Sequence, residues 1–178
     1  MEGEHNRQAK ATRESQYVIF RLEETQFGVA MSQVLCIVRL APITRVPHVP
    51  HFLEGVINYH GQVVPVVDLK KRLALLGEGE YGDKARILIV ELDTQSIGML
   101  VDAVVGISRL PDEAIQPPPE MVAQVNGVYL TGIARHEYED EERLIVLLDL
   151  SRVLTVEEAT EIETWRAENE VQGVKREL

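Results

Sequence analysis

The stretch GVINYHGQVVPVVDLKKRL, residues 55–73, contains the pattern that decides the fold. A turn at His60-Gly61 separates two short apolar runs, which is typical of a β-hairpin. The last eight residues of the stretch, VVDLKKRL at 66–73, recur near the end of the chain as LLDLSRVL at 147–154. This recurrence indicates a duplicated supersecondary unit.

A second part of the repeat lies upstream of each copy. At a constant offset of 70, five residues of the first half recur in the second: Ile19, Leu22, Phe27, Gly28 and Val34 as Ile89, Leu92, Ile97, Gly98 and Val104. The hairpin HEYEDEE at 136–142 is longer than its counterpart, which explains the larger offset of the second motif. Each half therefore contains strands, a proline-containing crossover, a hairpin and a strand that ends in Asp-Leu.

Short β-branched runs separated by Gly, Pro or polar turns predict a mainly β protein. We predict strands at residues 17–22, 27–31, 34–40, 63–69, 86–92, 97–107, 128–134 and 143–150. Helical patterns are confined to 69–76, to a short turn at 111–114, and to a tail that begins with the capping-box pair Thr155 and Glu158. Together with the duplication, these patterns predict two similar β-barrel lobes packed against each other.

Composition narrows the class of protein. A chain of 178 residues fits one domain or two small ones, and the single cysteine, Cys36, suits a reducing compartment such as the cytoplasm. The net charge is −11, and residues 137–178 hold 13 acidic against 5 basic side chains, which disfavours nucleic acid and anionic lipid as partners. No apolar run approaches the ~20 residues of a membrane-spanning helix, so we expect a soluble protein without membrane insertion.

The sequence carries none of the common enzyme motifs, such as a nucleophile elbow, a glycine-rich phosphate loop or a zinc-protease motif, so we expect no enzymatic activity. Cys36, His48, His51 and His60 are residue types that could form a tetrahedral zinc site. Their spacing does not match known zinc motifs, and the simpler interpretation is a surface loop of histidines beside a small apolar cysteine.

Asp68 and Asp149 both follow a predicted buried strand and occupy equivalent positions in the repeat. A pair of catalytic carboxylates is one hypothesis. Their equivalence favours another, in which each aspartate caps the helical turn that follows it, because a short carboxylate accepts well from free backbone N–H groups.

The segment ITRVPHVPHFLEGVINYHGQVVPVVDLKKRL, followed by IGMLVDAV, LPDEAIQPPPEM, YLTGIA and LIVLLDL, closely resembles the CheW family of bacterial chemotaxis coupling proteins. The resemblance covers about residues 15–157. It implies two five-stranded SH3-like barrels with short helices and a C-terminal helix, and no cofactor, metal or catalytic residue. The expected domains are a disordered tail at 1–15, one CheW-like domain of two intertwined lobes at 16–157, and an acidic helix or tail at 158–178.

The resemblance also implies partners: family members couple the cytoplasmic tips of methyl-accepting chemoreceptors to the histidine kinase CheA. The receptor helices would lie in an apolar groove between the lobes, at Val34, Ile37, Asn58, Ile87 and Val104. The regulatory domain of the kinase would pack near Ile43, Thr44, Val46 and Leu53, with a second, ring-closing contact at Gln116 and Met121. The protein would then be cytoplasmic and recruited to membrane-associated receptor arrays.

Two positions depart from the family pattern. The hairpin of the family usually has Arg where this chain has His60, and a Glu is common where this chain has Cys36. Because losing only one of two partnered charges leaves the other unpaired, we interpret the pair as an altered receptor-recognition site. Two alternatives stay open: His60 is a tolerated turn residue, or Cys36 and His60 belong to a metal- or redox-responsive sensor on the same fold.

Overall fold

The computed structural model describes residues 13–75, 80–120 and 129–176, and this part of the chain is mainly β, as predicted. Its strands are β1 (Glu14–Leu22), β2 (Thr25–Ala30), β3 (Val34–Arg39), β4 (Leu53–Tyr59), β5 (Gln62–Asp68), β6 (Arg86–Leu92), β7 (Gln95–Val101), β8 (Ala103–Pro111), β9 (Ile115–Gln116), β10 (Leu130–Tyr138) and β11 (Glu141–Leu148). The helices are α1 (Leu69–Arg72) and α2 (Val156–Arg176). Three-residue 3-10 turns occupy Met31–Gln33, Asp112–Ala114 and Leu150–Arg152.

The strands form two sheets, which confirms the prediction of two β lobes. The first lobe is a five-stranded sheet in the order β3-β6-β7-β5-β4, and the second is a six-stranded sheet in the order β8-β1-β2-β11-β10-β9. The sixth strand, β9, has only two residues. Each lobe contains strands from both halves of the repeat, joined by the parallel pairs β5–β7 and β2–β11. The two lobes are therefore intertwined.

The predicted repeat is visible in the strand pairing. Ile19 pairs with Gly28 in the β1–β2 hairpin, and Ile89 pairs with Gly98 in the β6–β7 hairpin, each at the offset of 70. Both glycines permit close packing, because a Cβ atom at Gly98 would lie 2.7 Å from the side chain of Ile87. The sequence repeat thus corresponds to a structural repeat.

Within the described ranges, buried apolar side chains form three groups. One lies inside the first lobe and one inside the second, around Ile89 and Ile19 respectively. The largest, which we call the central core, lies between the sheets and includes Val18, Phe20 and Leu88. Alternate residues of β1 therefore point into the second lobe and toward the central core, as the two-residue period of a strand requires.

Two predicted boundaries differ from the structure. The run 97–107 is not one strand, because the chain leaves the first lobe after Val101 and enters the second at Ala103, with Asp102 between them. Strand β1 begins at Glu14, inside the tail predicted to be disordered, because Glu14 pairs with Pro111 at the edge of the second lobe. Residues 1–12 of that tail lie outside the described residues.

The C-terminal helix is partly integral to the body. The predicted capping box is confirmed, since the backbone N–H of Glu158 donates to Thr155 Oγ1 at 3.1 Å and the N–H of Thr155 donates to Glu158 Oε1 at 3.0 Å. Ile162 is only 1% exposed and belongs to the central core. The side chain of Ile162 thus packs with the body although it lies beyond residue 157, where we expected the CheW-like domain to end. No helix in the described ranges is both long and apolar enough to cross a membrane.

Candidate protein-binding site

Strand β3 carries part of the predicted receptor groove on the face directed at the other lobe. Val34 pairs with Val90, and Ile37 pairs with Leu88, and both partners belong to the central core. Directly paired residues share a face of the sheet, so Val34 and Ile37 face the same way. Val34 is half-buried against the central core, whereas Ile37 is 38% exposed. The face is therefore apolar and opens to solvent at Ile37.

Strand β8 is the counterpart of β3 in the second lobe, and each is the edge strand of its sheet. Val104 pairs with Phe20, and Ile107 pairs with Val18, again on the face of the central core. Ile107 is 53% exposed, and it is related to Ile37 by the repeat offset of 70. The two lobes thus present equivalent apolar side chains beside the core that joins them.

A β-bulge interrupts each of these edge strands at an equivalent point. The pairing shifts between Val34 and Cys36, leaving Leu35 as the extra residue, and Val105 is the extra residue of β8. Both side chains are apolar and exposed. We call the four exposed apolar residues on β3 and β8, Leu35, Ile37, Val105 and Ile107, the apolar rim. Three of them were not predicted from the sequence, although applying the offset of 70 to Ile37 leads to Ile107.

Two predicted contact residues are buried in this structure. Ile87 is 0% exposed inside the first lobe, because β6 is an inner strand of the sheet and its alternate residues fill the core. Leu53 is 5% exposed and belongs to the central core. Neither side chain is accessible to a partner, so both predictions of direct contact require correction. Ile87 and Leu53 instead contribute to the cores on which the surface residues pack.

The hairpin between β4 and β5 shows what His60 does at its turn. Tyr59 pairs with Gln62, so His60 and Gly61 form a two-residue loop, and both have positive φ, 48° and 80°. This is the geometry of a type I′ turn, in which histidine is one of the more tolerated non-glycine residues. Asn58 Oδ1 accepts a hydrogen bond from the N–H of Gly61 at 3.0 Å, which stabilises the turn and presents His60 to solvent.

Cys36 and His60 are linked through Tyr59. The thiol of Cys36 donates to the Tyr59 hydroxyl at 3.1 Å, and the His60 ring packs edge-on against Tyr59 with 4.3 Å between ring centroids. The hydrogen bond with Cys36 raises the pKa of Tyr59 above its ordinary value. Cys36 packs against the core of the first lobe, whereas His60 is exposed. The two residues therefore share a neighbour on the surface of the first lobe.

The histidines and cysteine considered for zinc are not brought together. In the described ranges, no group of three or more His, Cys, Asp or Glu side chains has an arrangement that could hold a metal ion. Both aspartates act as caps, as predicted. Asp68 accepts from the N–H of Lys71 at 3.3 Å, and Asp149 accepts from the N–H of Ser151 at 3.0 Å.

The predicted kinase-binding residues occupy two places. Thr44 forms a two-way backbone bridge with Val56, both hydrogen bonds measuring 2.9 Å, and holds the crossover against β4. Gly55, with φ of 150°, allows this approach, because a Cβ atom there would lie 2.1 Å from the carbonyl oxygen of Thr44. Ile43 packs on the core of the first lobe and Val46 is half-buried.

The second predicted kinase contact lies on the other lobe. Gln116 is exposed on β9, at the sheet edge opposite β8. Met121 lies outside the described residues. The structure thus places Gln116 well apart in sheet order from the apolar rim.

Comparisons with known proteins agree with this architecture. The CheW-like domain family matches residues 16–158. Chemotaxis protein CheW of Bacillus subtilis is 32% identical over 140 residues, covering 79% of this chain and 86% of that protein. Protein FrzA of Myxococcus xanthus is 31% identical over 146 residues, covering 82% of this chain and 89% of that protein. The crystal structure of the scaffolding protein TtCheW from Thermoanaerobacter tengcongensis superimposes with a TM-score of 0.71 at 33% identity, covering 82% of this chain and 96% of that one.

Proposed function

The chain belongs to the CheW-like family, and on this basis we propose that it is a chemotaxis adaptor that couples chemoreceptor tips to a CheA-type histidine kinase without catalysing a reaction. The protein would bind its two partners, the receptor and the kinase, through two separate surfaces. Recruitment to receptors would bring it to membrane-associated arrays.

The apolar rim is the observation that carries the proposal. Ile37 and Ile107 are exposed, lie on the faces directed at the central core, and occupy equivalent positions in the two lobes. Exposed apolar side chains that continue a core are typical of a site that a partner covers. A receptor tip is helical, and an amphipathic helix can place its apolar side chains between two such edges.

The proposed receptor surface combines the rim with the residues beside it. Val34 and Val104 would form its floor, and the turn at Asn58 and His60 would form a polar border. Cys36 would act through Tyr59, to which its thiol is hydrogen bonded. The charge pattern common in the family is replaced here by a thiol and an imidazole, which favours a receptor with an apolar or neutral polar group at that point.

The proposed kinase surface uses the crossover of the first lobe. Ile43, Thr44 and Val46 would contact the regulatory domain of the kinase, with the Thr44–Val56 bridge keeping the crossover in place. Gln116 and Met121 would form the second, ring-closing contact. Small contacts of this kind gain strength when many copies assemble, as in a receptor array.

We further propose that the two intertwined lobes and the first turns of α2 form one structural unit. The central core receives side chains from both sheets and from Ile162, so the parts share their main source of stability. The acidic remainder of the tail would be a separate, solvated segment.

The function is tested by measuring the affinity of the protein for a receptor-tip fragment by calorimetry. Ile37→Asp and Ile107→Asp should each weaken binding by about tenfold or more, because each places an unpaired carboxylate in an apolar contact. Leu144→Asp is the matched control: Leu144 is 59% exposed but lies on β11, in the interior of the sheet order rather than on a rim strand. Equal affinity of all three variants and the unmodified protein would show that the receptor binds elsewhere.

A further inference from the structure

In the part of the chain that the structure describes, the backbone passes from one lobe to the other at two places, and a polar side chain forms hydrogen bonds at each of them. The first crossing runs from β2 to β3 through Met31–Gln33, and the second runs from β7 to β8 through Asp102. Each crossing leads directly into a strand that carries the apolar rim. We call the two sets of polar contacts the Asp102 clamp and the Gln33 clamp.

The Asp102 clamp joins both lobes through one carboxylate. Asp102 Oδ1 accepts from Lys70 Nζ at 2.9 Å, and Lys70 lies on α1, directly after β5 of the first lobe. Asp102 Oδ2 accepts from the N–H of Glu23 at 2.6 Å, and Glu23 lies in the turn between β1 and β2 of the second lobe. The N–H of Asp102 donates to the carbonyl oxygen of Arg21 at 3.1 Å.

The lysine of this clamp is held in a defined place. The side chain of Lys70 is only 6% exposed, and its ammonium lies 4.2 Å from the centre of the Tyr81 ring. The Tyr81 hydroxyl donates to Asp68 Oδ1 at 2.5 Å. Burial of Tyr81 and its hydrogen bond to Asp68 raise the pKa of Tyr81 above its ordinary value. A buried ammonium with one carboxylate partner resists displacement, because separating the pair leaves a charge uncompensated.

The Gln33 clamp lies at the other crossing, one residue after the position that corresponds to Asp102 at the offset of 70. The amide of Gln33 donates from Nε2 to Asp149 Oδ1 at 2.6 Å and accepts the N–H of Leu150 at 3.2 Å. Burial opposes ionisation of Asp149, but hydrogen bonds from Ser151 and Gln33 outweigh it and lower the pKa of Asp149. Gln33 thus binds Asp149 and Leu150, the two residues that follow β11, whereas Asp102 binds Lys70, the second residue after β5.

We propose that Gln33 and Asp102 are positioning residues that set the relation of β3 to β8 and thereby determine how well the apolar rim accepts its partner. Gln33 directly precedes Val34, and Asp102 directly precedes β8, so each clamp fixes the first residues of a rim strand. Neither residue belongs to the rim. The inference rests on the proposed receptor function, but the geometry that it concerns can be measured without a receptor.

The first measurement is the distance between the rim strands. Spin labels at Leu35→Cys and Val105→Cys, with Cys36→Ser to remove the native thiol, would report the separation of β3 and β8 by double electron–electron resonance. Asp102→Asn and Gln33→Leu should broaden or shift the distance distribution. Arg72→Gln, the control, breaks the 3.1 Å ion pair between α1 and Glu158 of α2, which involves no crossing, and should leave the distribution unchanged. An unchanged distribution in both clamp variants overturns the proposal.

The second measurement compares two affinities of each variant. Asp102→Asn and Gln33→Leu should weaken binding of a receptor-tip fragment by about tenfold, within the usual range of coupling between sites, and leave binding of the kinase regulatory domain within about twofold. Adding Lys70→Gln to Asp102→Asn restores an uncharged hydrogen-bonded pair and should recover most of the lost affinity. Parallel loss of both affinities would assign the clamps a general structural role and overturn the proposal. Failure of the unmodified protein to bind the receptor tip would count against the proposed function, and the distance measurement would still decide the role of the clamps.

Discussion

Removing the side chain of Ile162 should destabilise the whole protein, although this residue lies in an acidic helix whose residues 156–168 are mostly exposed. Ile162 is 1% exposed and packs in the central core, which joins the two sheets. The substitution Ile162→Ala removes three carbon atoms from this core and leaves the backbone of α2 intact, since alanine is the best helix former.

The size of the effect follows from this burial. Three buried methyl or methylene groups contribute about 2.4 kcal/mol at ~0.8 kcal/mol each, and the cavity that remains adds to the cost. We therefore expect a loss of about 3 kcal/mol in the free energy of unfolding. For a protein of this length, 1 kcal/mol lowers the melting temperature by about 2–4 °C, so Tm should fall by about 6–12 °C.

The assay is differential scanning calorimetry of the full chain. Glu163→Ala is the matched control, because Glu163 is the next residue of the same helix and is exposed, and it should change stability by no more than about 0.5 kcal/mol. A chain that ends at Ala159 should lose at least as much stability as Ile162→Ala, while one that ends at Ala167 should keep it. If the Ile162→Ala and Glu163→Ala variants have the same melting temperature, the helix does not contribute to the central core and the reasoning is wrong.

Three further predictions concern the surfaces and the caps. Val46→Asp should weaken binding of the kinase regulatory domain by several kcal/mol in calorimetry, because buried unpaired carboxylates are costly, and equal affinity would mean that the crossover is not the kinase face. Asp149 has a lowered pKa in the folded state, so the stability that it contributes is present above the unfolded pKa of about 3.9 and is lost as pH falls through the folded value. Asp149→Asn should therefore flatten the acid dependence of Tm in that window, and an unchanged acid dependence would contradict the capping role of Asp149. Cys36→Glu and His60→Arg should show a coupling of at least about 0.5 kcal/mol in receptor affinity, and purely additive effects would return His60 to the role of a tolerated turn residue.

The duplicated architecture could be predicted because the repeated residues have roles that depend mainly on their own strand or turn. Gly28 and Gly98 mark equivalent close approaches, and Asp68 and Asp149 mark equivalent caps. The break at Asp102 was missed because residues 97–107 are an almost continuous apolar run, in which one aspartate without a proline or a turn motif beside it does not mark the end of a strand. A signal was present: the predicted strands 27–31 and 34–40, moved by the offset of 70, end and restart around that position.

The surfaces were harder to predict than the fold. The strand RILIVEL at 86–92 is apolar on both faces, so its sequence does not distinguish a residue such as Ile87, buried inside a lobe, from one at a groove. Leu35 and Val105 are exposed because bulges displace them, and a bulge depends on pairing with another strand. The link between Cys36 and His60 through Tyr59 likewise depends on how β3 approaches the β4–β5 hairpin.

The two intertwined lobes differ in how soon all of their strands are available during synthesis. The first lobe is continuous in sequence, and its parallel pair joins Val66 to Gly98, so it can close soon after β7 is made. In the second lobe, β2 pairs with β11 through Phe27 and Val146, and Val146 is synthesised about 120 residues after Phe27. At translation rates of about 5–20 residues per second, the free edge of β2 would stay open for roughly 6–24 s. During synthesis, mispairing and chaperone binding should therefore concentrate on β2, while the first lobe is already a folded neighbour.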